Sequence, residues 1–317
     1  MLAPVEIQAL QVLTVVVFAP LVSGAIAHIE ARLQGRRGPR ILQPYYDLAK
    51  LFQKETLVPE DASWVFLAGP ILAFSCYLIV PLLIPVLTTY PLPLGYMGDI
   101  LGGGFILALA GFSVALAAAD SGGPYAQLGS SRAMTFGALI EPSILFVTFT
   151  VALITATDLP YFEAAAARAS LSQAIRPAHL LAAFAFFLVV LNDTGRIPVE
   201  THSSTLEFGM IDEARTLEHS GPPFALLKWG SAMKQMLLYV LLLNVFVAPW
   251  GLAGTRQAGS VFLAILIFVG KAIGLGVLFT LIDNSFSKLR LFKITEFMAA
   301  ALVIALLAVL VFYLGGG

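Results

Sequence analysis

Apolar residues in this chain come in long unbroken runs, not in alternation with polar ones. Eight runs stand out, at roughly 8–28, 64–86, 100–119, 136–157, 177–192, 225–248, 260–283 and 294–314. A hydrocarbon core about 30 Å thick is crossed by about 20 apolar residues in helical form, and 177–192 is the shortest of the eight. Strands of a membrane barrel alternate apolar and polar positions, whereas Leu237-Leu238-Tyr239-Val240-Leu241-Leu242-Leu243 does not. The pattern predicts an all-α integral membrane protein with about eight transmembrane helices. No internal repeat or long linker divides it, so 1–317 reads as a single membrane domain. Trp64, Trp229 and Trp250 fall near span ends, as interface anchors do. Gly102-Gly103-Gly104 at the head of the third run predicts close helix packing.

Composition sharpens this reading. Of the 317 residues 59% are hydrophobic and 12% charged, against about 25% charged in soluble domains. A net charge of −1 with no basic tract excludes a nucleic-acid partner. The single cysteine, Cys76, excludes an internal disulfide and a multi-thiolate metal site. There is no Cys-x-x-Cys, no His pair at ligand spacing and no phosphate-binding glycine loop, so no metal or redox cofactor is expected in this chain.

Lys and Arg in the loops set the direction of insertion. Thirteen of the 18 follow odd-numbered runs: Arg32, Arg36, Arg37, Arg40, Lys50, Lys54, Arg132, Arg196, Arg215, Lys228, Lys288, Arg290 and Lys293. The opposite side holds Arg168, Arg176 and Arg256. Both termini are therefore expected outside the cytoplasm. The start lacks a basic n-region, so the first run is expected to be retained.

Two polar stretches are expected on the cytoplasmic side. In 34–63, Gly35-Arg36-Arg37-Gly38-Pro39-Arg40 and Gln43-Pro44 precede a short helix with Leu48, Leu51 and Phe52 on one face and Asp47, Lys50 and Lys54 on others. An amphipathic helix of this kind lies in the membrane interface. The cations serve either as topology determinants or as a docking surface for a cytoplasmic partner, and the fixed Gly and Pro turns favour docking. Residues 193–223 carry six carboxylates: Asp193 ahead of Arg196, then Glu200, Glu207, Asp212, Glu213 and Glu218. If this part is helical, Glu207 and Glu218 share a face. Such a loop is either simply solvated or passes protons.

Ionisable groups at bilayer depth usually mark a pathway. Glu141 precedes Pro142, which has no N–H for the carbonyl of Ala138 and is expected to open the helix beside the carboxylate. Lys271 lies about eleven residues into the seventh run, Lys234 less deep in the sixth, and Asp283 near a span end. All four are candidates for proton transfer.

Together these residues resemble the membrane-subunit family shared by respiratory complex I (where it is the H-type membrane component) and membrane-bound [NiFe]-hydrogenases. The resemblance covers nearly the whole chain. It rests on Gly35-Arg36-Arg37-Gly38-Pro39 and Leu42-Gln43-Pro44, on Glu141-Pro142, on Arg196-Ile197-Pro198-Val199-Glu200, Glu207 and Glu218-His219-Ser220-Gly221, and on Lys271 with 286–290. Complex I members carry further carboxylates where Ser203, Thr205 and Ser231 stand here, and an Arg near Asp283. Leu206-Glu207-x-x-Met210-x-x-Glu213 and Leu217 to Pro222 look more like the formate hydrogenlyase and hydrogenase-4 branch. The resemblance implies a non-catalytic connector in a prokaryotic cytoplasmic membrane. It would anchor [NiFe]-hydrogenase large and small subunits and an iron–sulfur subunit, and link them to antiporter-like membrane subunits. The [NiFe] centre and iron–sulfur clusters would reside in those partners, and quinone binding is in doubt. Glu141, Glu200, Glu207, Glu213, Glu218, Lys234, Lys271 and Asp283 would carry protons. Arg36, Arg37, Arg40, Gln43, Asp47 and Arg196 would dock the partners. The alternatives are the quinone-site component of a complex I-like NADH:quinone oxidoreductase and a stand-alone ion transporter.

Overall fold

Every apolar run folds as a helix. The structure is a computed structural model that describes residues 2–169, 176–194, 211–285 and 292–315. The helices are α1 (Pro4–Leu33), α2 (Gln43–Phe52), α3 (Trp64–Leu83), α4 (Ile100–Asp120), α5 (Pro124–Thr155), α6 (Pro160–Ala169), α7 (Pro177–Asp193), α8 (Gly221–Leu241), α9 (Ala258–Ser285) and α10 (Phe292–Leu314); α8 continues into a π-helical turn, Leu242–Val247. Among the described residues, seven helices are long and apolar enough to cross a membrane. The eighth, α7, has 17 residues and reaches about 26 Å at about 1.5 Å per residue. It packs against α5 and α10 with Ala182, Ala185, Phe186 and Val189 buried, so protein covers much of the short helix.

α5 starts at Pro124, twelve residues before the apolar run that marks it. Its first turns are polar but packed. Ser130 Oγ donates to the Ala115 carbonyl at 2.6 Å, and Gly129 lies where a Cβ would meet Ala214. The helix also runs unbroken through Pro142. Loss of one backbone hydrogen bond does not open it, because flanking turns and neighbouring helices hold the axis. Gly103 has open space around it and Gly102 meets the Asp99 carboxylate, whose Oδ1 accepts from Gly102 N–H at 2.7 Å. That triplet therefore begins a capped helix and does not mediate close packing.

A proline in α1 has a direct consequence for packing. Pro20 cannot donate to the Val16 carbonyl, and Trp229 Nε1 of α8 donates to it instead at 2.9 Å. Trp229 also packs on Phe74 and Phe52, so it ties α1, α2, α3 and α8 together and is not a free interface anchor. Trp64 and Trp250 are exposed.

Candidate functional site

The carboxylate of Asp120 at the end of α4 accepts from the backbone N–H groups of Ser63 and Phe66 at 2.8 and 3.0 Å. It thereby caps α3 and fixes the two helix ends together. α4, α5, the end of α7, residues 211–215 and α8 line a cavity of about 510 Å³. Its wall mixes apolar residues, Phe105, Ala108, Phe112 and Ile144 among them, with Glu141, Asn192, Asp193, Asp212, Arg215 and Lys234.

Two ion pairs stand in this wall. Lys234 Nζ of α8 donates to Asp193 Oδ1 at the end of α7 at 2.7 Å, with 25% and 14% of the side chains exposed. Arg215 pairs with Asp212 within a turn that leads into the single 3-10 turn Ala214–Thr216. Beside them, Asn192 is fully buried and neither its oxygen nor its nitrogen has a partner among the described residues, and Arg215 Nε is also unpaired. The phenol of Tyr77 lies within Coulombic reach of all four charges. A cavity with unsatisfied polar atoms at one end is the setting in which internal water bridges buried groups. Such a chain can pass protons between carboxylates without a metal.

The structure brings together two of the expected proton-transfer residues, Glu141 and Lys234, and adds Asn192, Asp193, Asp212 and Arg215. The missing partner was partly readable: a lysine inside a span needs a counter-charge at its own depth, and Asp193 ends the neighbouring buried helix. Glu213 and Glu218 lie exposed outside the cavity. Residues 211–220 form turns and the one 3-10 turn, so the helix that would put Glu207 and Glu218 on one face does not extend to Glu218. Glu207, Glu200 and Arg196 lie outside the described residues. Asp283 is half-buried near the end of α9.

Lys271 is placed elsewhere. Its ammonium donates to Asn244 Oδ1, the Ala248 carbonyl and the Trp250 carbonyl at 3.0, 2.8 and 2.9 Å. It thus caps the backbone where the π turn after α8 ends. Asn244 in turn donates to the Pro85 and Val86 carbonyls, and Gln11 donates to the Pro81 and Ile84 carbonyls while accepting from Leu87 N–H. Residues 84–92 and 248–257 are largely non-helical and pair through Ala253. Irregular backbone at membrane depth survives only where its polar groups are satisfied, and these three side chains satisfy them.

The first polar loop is held to α1. Gly35 adopts φ +72°, His28 Nδ1 donates to the Pro39 carbonyl at 2.7 Å, and a Cβ at Gly38 would press on the His28 carbonyl. Tyr45 Oη donates to the Val17 carbonyl. Arg36, Arg37 and Arg40 project from this fixed path and are exposed. α2 buries Leu48, and Gln43 Nε2 donates to Asp47 Oδ1 at 2.9 Å on its open side. Among the described residues no group of three His, Cys, Asp or Glu side chains is placed to hold a metal.

Residues 6–314 match the family model described as NADH dehydrogenase. Formate hydrogenlyase subunit 4 of Escherichia coli (strain K12) is 31% identical over 89% of this chain and 90% of its own. Hydrogenase-4 component C of the same organism is 30% identical over 96% and 95%. The H-type component of NADH-quinone oxidoreductase from Syntrophotalea carbinolica is 28% identical over 90% and 87%. A chain in the structure of the membrane-bound sulfane sulfur reductase, an archaeal respiratory membrane complex, superposes with a TM-score of 0.82 over 96% of this chain and 99% of that one, at 21% identity. The fold is shared with that chain.

Proposed function

Because this chain belongs to the NADH dehydrogenase family of membrane subunits, we propose that it is the membrane anchor and proton-coupling connector of a [NiFe]-hydrogenase complex of the formate hydrogenlyase type. The observation that carries the coupling role is the cavity lined in common by Glu141, the Lys234–Asp193 pair and the unpaired buried Asn192. Whole-length similarity to two hydrogenase-linked proteins supports the type of complex. The redox centres would belong to partner subunits: large and small hydrogenase subunits and an iron–sulfur subunit on Arg36, Arg37 and Arg40, with antiporter-like subunits beside it in the membrane. Glu213 and Glu218 would stand where the path meets the cytoplasm, and both termini would lie on the opposite side. Similarity to the H-type component of NADH-quinone oxidoreductase favours a quinone-site component as the second reading.

Two measurements test the proposal. Arg36, Arg37 and Arg40 replaced by Glu should release the hydrogenase subunits on purification while the chain stays inserted; unchanged co-purification removes the docking role. Glu141→Gln should weaken proton uptake by sealed vesicles containing the complex, compared at equal hydrogenase activity. Full coupling in that variant removes Glu141 from the path.

A further inference from the structure

Glu163 lies in the first turn of α6, which follows α5 and contributes no residue to the cavity lining. Its side chain is 0% exposed, and among the described residues neither carboxyl oxygen has a hydrogen-bond partner. An acid in a first turn ordinarily gains from nearby free N–H groups and the helix dipole. Here those N–H groups are engaged otherwise, since Phe162 and Glu163 both donate to the Leu159 carbonyl.

The described residues around it offer no compensation. α6 packs on α5 and on the π turn after α8. The polar side chain of that turn, Asn244, is committed to Pro85, Val86 and Lys271. On α5, Thr150 and Thr155 donate to carbonyls of their own helix. His179 Nε2 donates to the Phe246 carbonyl, and Tyr161 Oη accepts from Gln11. The charge that reaches Glu163 is Asp158, of the same sign. Burial, with Asp158 adding to it, holds the Glu163 carboxyl well above the usual carboxylate range. An unpaired buried carboxyl is costly, and packing alone would be served better by Leu.

We propose that Glu163 is a proton-carrying site separate from the cavity, neutral at rest and ionised transiently. In the step, the carboxyl O–H bond breaks, the proton passes to water admitted when α6 separates from the π turn, and the carboxylate is reloaded by the reverse transfer. α8 carries Lys234 in its helical part and the π turn against α6, so one continuous element touches both this site and the cavity. The inference rests on the proton-coupled reading above.

The test is infrared difference spectroscopy of the intact complex in vesicles after a step to alkaline pH, with unmodified protein, Glu163→Gln and Glu163→Asp. The carbonyl band of a protonated carboxylic acid should decrease on the step, vanish from the Gln difference spectrum and move in frequency in the Asp variant. A difference spectrum unchanged by both substitutions overturns the proposal. This readout needs neither pumping nor hydrogen evolution. Failure of the unmodified complex to take up protons would sink the coupling reading, while the spectrum decides Glu163 by itself.

Discussion

The two half-buried lysines Lys234 and Lys271 stand in opposite surroundings. Lys234, in the regular part of α8, bonds one carboxylate directly at the wall of a cavity, beside Asn192 and Arg215 Nε, which have no partners of their own among the described residues. Lys271, on α9, is held by three oxygens in a region where Gln11 and Asn244 are also fully engaged. The first arrangement leaves polar atoms over, and spare hydrogen-bonding capacity is what water and moving protons use. The second uses all three ammonium donors of Lys271 to close a backbone that left helical form. Two lysines at comparable places along their spans thus sit in different hydrogen-bonding surroundings, and the difference can be tested.

The sharpest way to break this contrast is to remove each cation. Lys234→Met leaves Asp193 partly buried without its counter-charge and should cost roughly 2–4 kcal/mol, discounted for the exposed quarter of the lysine. Thermal unfolding of the purified complex should show the loss, and Asp193→Asn in the same chain should recover most of it. No loss in the single variant would mean that the pair contributes little. Proton uptake should fall in both variants.

His219 extends the contrast to the loop beside the cavity. Its ring stacks on Phe66 at 4.1 Å and 11°, both nitrogens are buried without partners among the described residues, and burial lowers its pKa from 6.5 to about 4. The unfolded chain therefore binds a proton that the folded site refuses. The stability of this contact is complete above pH 6.5 and declines as pH falls towards 4, by about 2 kcal/mol at pH 5. Hydrogen-exchange protection factors over 211–220, corrected for the intrinsic pH dependence of amide exchange, should fall between pH 7 and 5, and His219→Phe should remove that fall. Equal protection at both pH values would show that the site admits the charged ring.

The smallest expected effect belongs to Lys271→Met. Three acceptors lose one donor, worth about 1–2 kcal/mol, and proton uptake per hydrogen evolved should stay at the unmodified level. A clear fall in uptake would return Lys271 to the conducting set and erase the distinction between the two regions.

Hydrophobic patterning was enough to read the membrane class, the eight apolar helices apart from the polar first turns of α5, and the amphipathic α2. Those features follow from local hydrophobicity and from residue spacing along one helix, which a hydrocarbon solvent enforces strictly. It also pointed to Glu141 and Lys234, because charge inside an apolar run is conspicuous. What each charge faces is set by packing between helices. Lys234 meets Asp193 41 positions away, Trp229 takes the Val16 carbonyl from 213 positions away, and Lys271 answers carbonyls 21 and 23 positions back on another element. The segments at 84–92 and 248–257 carry their own helix breakers, Pro85, Pro91, Pro249 and Gly251, but the side chains that hold their backbone groups, Gln11, Asn244 and Lys271, come from other elements. No window of neighbouring residues contains that information, since a hydrogen bond between distant segments exists only once packing has set the depth and facing of both.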